Sequence, residues 1–297
     1  MGLIALEQKE TTSVRKYFLD ALEIAREVKV PDLEAKALNN LAMAEASING
    51  NYALAHEYYE QSCMLARKIG DRTSESSSLG NLGFSAGMLG NFQLARSYHE
   101  QALQVAREVG NLNQEIYTLI NISSLAGLQN DADLALSQAR KAVVLAQAIS
   151  EKSGEAWAML YMGHAHVLEG QFELAKSAYQ RSIAIRNELG QPALSMEPIA
   201  GLVEAYLAVN DLESAWQYAE RIMRFFESGS SLDGTDEPLR VYHACYLYLE
   251  KAKDPRSRRI LQTAKHLLEA QVSKFGNEAD RSRYIENIPW RRAIWDA

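Results

Sequence analysis

The feature that most constrains this chain is a recurrence. Gly50-Asn51-Tyr52, Gly90-Asn91-Phe92, Asn130-Asp131-Ala132, Gly170-Gln171-Phe172 and Asn210-Asp211-Leu212 stand 40 residues apart. An alanine follows each, at Ala55, Ala95, Ala135, Ala175 and Ala215, and then a small or medium residue at Ser62, Ala102, Ala142, Ser182 and Ile222. Before each stands an apolar residue with a mostly small successor: Leu41-Ala42, Leu82-Gly83, Ile122-Ser123, Met162-Gly163 and Leu202-Val203. Self-similarity at this period marks an array of supersecondary units, each burying its apolar face only against its neighbours. Small side chains at fixed positions let two segments approach closely, and Gly or Asn beside a short polar residue supplies the turn between them.

The segments between turns are rich in Ala, Leu, Glu, Gln and Arg, with apolar residues at helical spacing, as in Leu94, Tyr98, Leu103 and Ala106. Both segments of each unit are therefore expected to be helices, giving an all-α fold. The pattern resembles the tetratricopeptide repeat family, and the resemblance covers nearly the whole chain. It implies a right-handed superhelix, an α-solenoid, with helix pairs at 33–69, 73–109, 113–149, 153–189, 197–227 and 238–275 in a single array over 1–297. The period departs from the family's usual length of about 34, and the proline that commonly ends the second helix is missing. Val14 to Val28 reads as the second helix of a truncated repeat. Asn277 to Ala297 is expected to cap the far end, with Trp290, Ile294 and Trp295 as an apolar stripe on a helix begun by Pro289.

Gly83-Phe84-Ser85-Ala86-Gly87 matches the G-x-S-x-G pattern of serine hydrolases. A nucleophile elbow needs a strand before the serine and a helix after it, whereas Ser85 falls inside a predicted helix whose Gly83 is the repeat's packing position. A hydrolase acting through Ser85 stands only as a remote alternative. His164 and His166 are two residues apart and face different sides of a helix, and Glu169 does not complete a ligand set. Ser228 to Glu237 lacks the ligand spacing of a calcium loop and reads as a flexible connector. Phosphate-cradling glycine loops and Cys-x-x-Cys are missing from the sequence. The expectation is a non-enzymatic chain without catalytic residues, metal or cofactor.

A formal charge of −7 and a pI near 5.5 offer no general attraction for a polyanion, so nucleic acid is disfavoured as a partner. The clusters Arg256-Ser257-Arg258-Arg259 and Arg291-Arg292 read as solvated helix faces. Cys63 and Cys245 fall on distant helices and are expected to be buried free thiols, which suits a reducing compartment. No run reaches the length of a membrane span and no leader pattern opens the sequence, so a cytoplasmic monomer is expected.

In the family that this chain resembles, the first helix of each pair lines a concave groove. An asparagine two residues before the packing glycine there bonds the backbone of an extended ligand. The matching column is Asn40, Asn81, Asn121, Tyr161 and Gly201, a candidate ladder whose amides can both donate and accept. The same asparagines could instead bridge neighbouring repeats, and both roles can hold together. One turn to either side lie Ser77, Tyr117, Trp157 and Glu197, then Met43, Phe84, Ser124, His164 and Glu204. Tyr117 and Trp157 suit ligand anchoring, whereas Phe84 and Met43 fit inter-repeat packing at least as well. Two lysines and an arginine facing the asparagines, which would clamp a C-terminal carboxylate, are lacking.

The last third carries Met196-Glu197-Pro198-Ile199-Ala200-Gly201-Leu202, Glu237-Pro238-Leu239-Arg240-Val241-Tyr242 with Cys245-Tyr246, and Arg281-Ser282-Arg283-Tyr284-Ile285-Glu286-Asn287-Ile288-Pro289-Trp290-Arg291-Arg292. These stretches resemble the tetratricopeptide sensor region that follows the ATPase module of bacterial signal-transduction ATPases, or a nucleotide cyclase. The resemblance implies a sensor or scaffold portion of a larger signalling or transcription-regulatory protein, binding a peptide or protein in its groove. Alternatively it docks on its own parent ATPase domain and restrains it.

Overall fold

The structure is a computed structural model that describes residues 11–47 and 50–297, and every regular element among them is helical. The helices are α1 (Thr11–Glu27), α2 (Pro31–Ser47), α3 (Tyr52–Ile69), α4 (Arg72–Met88), α5 (Phe92–Glu108), α6 (Leu112–Leu128), α7 (Ala132–Ala148) and α8 (Lys152–Leu168). They continue with α9 (Phe172–Glu188), α10 (Met196–Ala208), α11 (Leu212–Glu227), α12 (Pro238–Lys251), α13 (Ser257–Val272), α14 (Glu278–Glu286) and α15 (Pro289–Asp296). Two compact units divide the chain, Met1–Asn121 and Ile122–Ala297, with the division inside α6. In each unit consecutive helices pack against each other across short turns, the αα-hairpin arrangement. The even-numbered helices α2 to α12 are the first (A) members of each pair, and α3 to α13 the second (B) members.

The turns explain why the chain reverses where it does. Gly50, Gly70, Gly90, Gly110, Asn130, Ser150, Gly170, Gly190 and Asn210 all hold positive φ, between 57° and 75°. At each position from 70 onward the next residue's N–H donates to the carbonyl five residues back, as Asp71 does to Ala66 and Asn91 to Ala86. This bond absorbs a carbonyl that the helix end leaves orphaned. Except at Gln171 and Gln191, that next residue then caps the following helix. Asn51, Asp71, Asn91, Asn111, Asp131, Glu151 and Asp211 each accept from the N–H three residues on.

Packing follows from the small-residue columns. Helix backbones come close enough for a hydroxyl to reach the neighbour's main chain: Ser62 donates to the Ala35 carbonyl at 2.8 Å, Ser123 to Ala135 at 2.8 Å and Ser182 to Ala156 at 2.8 Å. Glycine serves a second purpose, which is making room for rings. A Cβ at Gly83 would lie 2.4 Å from the His99 ring; one at Gly163 would lie 2.4 Å, and one at Gly201 2.5 Å, from the ring of Tyr179. Tyr179, on α9, is thus wedged between α8 and α10, fully buried within the core of the second unit beside Leu160, Ile199, Leu202 and Val203. In the first unit Val14, Phe18 and Leu22 of α1 bury against Leu38 and Leu41 of α2.

At the C-terminal end α15 packs on α12 and α13. The expected stripe is only partly realised: Ile294 is buried and Trp290 half-buried, but Trp295 is 46% exposed. Ile288, Arg291 and Ile294, at i, i+3 and i+6, form the inward face instead, and Trp295 is one residue, about 100°, off it. Cys63 and Cys245 are buried and free. Among the described residues no helix is long and apolar enough to cross a membrane, and no group of His, Cys, Asp and Glu side chains could hold a metal ion.

Candidate interaction face on the A helices

The candidate site residues lie on A helices: Asn40 on α2, Asn81 and Phe84 on α4, Tyr117 and Asn121 on α6, Trp157, Tyr161 and His164 on α8, and Glu204 on α10. All nine are half-buried, as expected of side chains that are held in place while keeping an accessible edge.

In the first unit one member of the asparagine column, Asn81, bridges repeats. Asn81 Nδ2 donates to Asn39 Oδ1 at 3.0 Å, which links α4 to α2 and leaves the amide plane fixed across the face. Phe84 meets Tyr52 edge to face at 6.3 Å, so it has a packing partner on α3. One residue on, Ser85 has no exposed surface. Its Oγ lies 2.7 Å from His56 Nδ1 and 3.1 Å from the Leu82 carbonyl, and His56 Nε2 is 3.7 Å from Glu60. A serine, an imidazole and a carboxylate are therefore adjacent. The serine is nevertheless buried in mid-helix, where backbone N–H groups are engaged in helix hydrogen bonds and make no oxyanion hole. Burial also pushes the His56 pKa down.

In the second unit the same column is built into a denser arrangement. Trp157 and Tyr161 stack with centroids 6.4 Å apart, and the Arg186 guanidinium from α9 lies over Trp157 at 4.6 Å. Tyr161 meets His164 edge-on at 5.7 Å, and His164 Nδ1 is 2.6 Å from the Tyr179 hydroxyl. Burial, and then the charge of Arg240, push His164 well below the usual imidazole range, so it is neutral at pH 7. Glu204 pairs with Arg240 of α12 at 2.7 Å. The Arg240 guanidinium lies over Trp290 at 4.9 Å, which ties the A helices to α15.

Three acidic groups complete this region. The Tyr161 hydroxyl donates to Asp236 Oδ2 at 2.6 Å. The Glu237 N–H donates to Glu197 Oε1 at 2.5 Å, while the Glu237 carboxylate accepts from Trp290 Nε1 at 3.0 Å and Arg291 Nη2 at 2.6 Å. Burial pushes the carboxyls of Glu197 and Asp236 up, and Asp236 adds to the rise at Glu197. Sequence reasoning placed Tyr161, Trp157 and His164 on this face but missed Asp236 and Arg186. The only signal for Asp236 is the length of the connector that carries it.

Residues 74–148 match the family model for the tetratricopeptide repeat. NprR in complex with its cognate peptide NprX is similar in structure, 14% identical over 99% of this chain and 84% of its own, with a TM-score of 0.64. A Rap protein complexed with Competence and Sporulation Factor is 16% identical over 89% of this chain and 74% of its own, with a TM-score of 0.63. A Signal Transduction ATPase with Numerous Domains from Pyrococcus horikoshii, which carries a tetratricopeptide repeat sensor, is 17% identical over 90% of this chain and 41% of its own, with a TM-score of 0.59. No curated protein matches the sequence. The chain folds as a tetratricopeptide-repeat protein.

Proposed function

We propose that this chain is a non-catalytic interaction module that holds a peptide or protein segment against its A helices, as the sensor region of a larger signalling or transcription-regulatory protein. The observation that carries this reading is the occurrence, in each unit, of half-buried amide or aromatic side chains on the A helices. It comprises Asn40 and Asn81 in the first unit and Trp157 and Tyr161 in the second. Such groups offer paired donors and acceptors for a backbone and large contact area at small entropic cost. One of the similar structures holds its cognate peptide, another is complexed with Competence and Sporulation Factor, and a third is a sensor-bearing ATPase, which supports both halves of the reading. The net charge of −7 favours a protein or peptide over nucleic acid. Docking on a neighbouring ATPase domain of the parent is the alternative, motivated by the similarity to the sensor-bearing ATPase.

The test is a pull-down from host lysate with the wild-type chain beside an Asn81/Asn121/Trp157 triple-alanine variant shown to be folded by circular dichroism. A partner caught by wild type alone supports the A-helix face. Equal capture by both places binding elsewhere. Labelling by a fluorophosphonate probe would overturn the non-catalytic half of the proposal, since buried Ser85 is expected to stay unmodified.

A further inference from the structure

Helix α1 ends as the B helices do. Lys29 holds φ at 52°, and the Val30 N–H donates to the Ala25 carbonyl at 3.2 Å, the bond that Asp71, Asn111 and Gln191 make to Ala66, Ala106 and Arg186. Aligning these turns gives each residue of α1 its counterparts in the complete pairs. Ala21 falls in the column of Ser62, Ala102, Ala142 and Ser182, Ile24 in that of Val105 and Ile185, and Glu27 in that of Glu108 and Glu188.

In the complete pairs this register faces the B helix's own A helix. Ser62 donates to the Ala35 carbonyl of α2 and Ser182 to that of Ala156 on α8, while Ser76 of α4 donates to the Ala102 carbonyl at 3.0 Å. Glu108 pairs with Arg72 of α4, and Glu188 with Lys152 of α8 at 2.7 Å, a basic residue in the first turn of each A helix. In α1 the same register is open. Ala21 is exposed although its four counterparts are buried, and Ile24 is 57% exposed where Ile185 is 1%. Tyr17, Ala21, Ile24 and Val28, at i, i+4, i+7 and i+11, make one exposed apolar stripe, distinct from Val14, Phe18 and Leu22, which bury against α2.

We propose that this stripe seats a helix of a partner protein, small and apolar along one face and with Lys or Arg in its first turn, which takes the place of an A helix beside α1. The proposal is independent of the reading of the A-helix face and adds a second surface to the chain. Charge selects the occupant. Asp20 and Glu27 are exposed along one side of the stripe. Two copies of α1 packed antiparallel on it would bring Asp20 of one near Glu27 of the other, like charge against like. A basic first turn meets Glu27 as Arg72 meets Glu108 and Lys152 meets Glu188. Ring packing adds a second requirement. Phe18 stands in the register of His99 and Tyr179, whose rings fill the space beside Gly83 and Gly163, so the partner helix carries a glycine or alanine facing Phe18.

The experiment titrates the full chain into a fluorescein-labelled peptide copying residues 72–88 with Glu75→Lys, read by anisotropy. The peptide supplies Arg72 for Glu27, Ser76 for the Ala21 carbonyl and Gly83 for Phe18. The lysine answers Asp20, whose counterpart Arg181 pairs with Glu155 at 2.8 Å. Saturable binding with a Kd below about 1 mM is expected, since a short helix must order as it binds. Ile24→Asp should weaken it at least about 10-fold, because an apolar side chain buried on binding is replaced by a charge. Glu27→Lys should weaken it about 3-fold, and a peptide also carrying Arg72→Glu should recover that loss on the Glu27→Lys chain. Ile24 and Glu27 are both exposed, so neither change disturbs the fold. A peptide that does not bind, or binds equally well to Ile24→Asp, overturns the seat. Sedimentation that finds a wild-type dimer dissolved by Ile24→Asp gives the stripe to a second copy and overturns the partner helix. The Asn81/Asn121/Trp157 triple-alanine variant should bind the peptide as wild type does. Loss of binding there would move the peptide to the A-helix face and overturn the seat, whereas failure of the A-helix reading leaves this result standing.

Discussion

Replacing Gly163 by alanine sets a methyl group against the ring of Tyr179, at 2.4 Å from Cε1 and 2.6 Å from Cδ1. The ring cannot retreat, because on its far side Gly201 has room for no more than a hydrogen: a Cβ there would lie 2.5 Å from Cζ. Overpacking of a tight core costs about 1–3 kcal/mol, and the absence of slack on either side places this case near the top. Alanine returns about 1 kcal/mol in helix propensity within α8, so Gly163→Ala should destabilise the second unit by about 2 kcal/mol. Tyr179→Ala alone should cost about 3–5 kcal/mol through its cavity, besides the lost bond to His164. With the ring gone, the methyl group meets no obstacle and the propensity gain remains. Gly163→Ala should then stabilise the Tyr179→Ala protein by about 1 kcal/mol, a reversal of sign worth about 3 kcal/mol of coupling. All four tryptophans, at 157, 216, 290 and 295, belong to the second unit, so urea unfolding followed by tryptophan emission reports on it selectively. Equal cost of Gly163→Ala in both backgrounds would refute the wedge argument.

Three further outcomes follow from the structure. Ser150 holds φ at 58°, where only glycine is free of strain, so Ser150→Gly should stabilise the protein by about 0.5–1 kcal/mol in the same urea assay. Glu237→Ala removes the acceptor of Arg291, itself 1% exposed, and of Trp290, and should cost about 2–3 kcal/mol, with Glu237→Gln intermediate. The carboxyls of Glu197 and Asp236 sit among Tyr161, Arg186, Glu237 and Arg240, and burial raises both, so the folded state holds protons that the unfolded state has lost. Stability from this source is complete below the ordinary carboxylate range and is lost as pH rises toward about 8. The unfolding midpoint of the second unit should therefore fall over that window, and Glu197→Gln should flatten the slope; an unchanged slope would remove these groups as the cause.

The fold was legible because its punctuation is local. Gly or Asn at the left-handed position, a capping residue after it and small residues at fixed distances all recur in the sequence, and each acts over a few residues. The complement between glycine and ring was half legible. Gly83 and Gly163 stand out as packing positions, but nothing short of the structure shows that His99 and Tyr179 fill the space they leave. The candidate face divides in the same way. The helical spacing is enough to put Asn81, Tyr117, Trp157 and Tyr161 on A helices, yet their partners come from chemistry that spacing does not encode. Asn81 bonds to Asn39 rather than to its column-mate Asn40, and Tyr161 to Asp236, 75 residues further on. A connector rich in Ser, Gly and Asp reads as loose in sequence, because the contacts that order its end belong to helices far from it along the chain.

The claim that the A helices carry the binding surface is tested most directly by site-specific photo-crosslinking in host cells. A benzophenone amino acid is placed at Ser77 or Tyr117 on A helices, or at Met64 or Val144, which are 71% and 65% exposed on B helices. The proposal predicts a discrete crosslinked partner from Ser77 and Tyr117 and none from Met64 and Val144. Crosslinks confined to Met64 and Val144 would contradict the account and move the binding surface to the B-helix side.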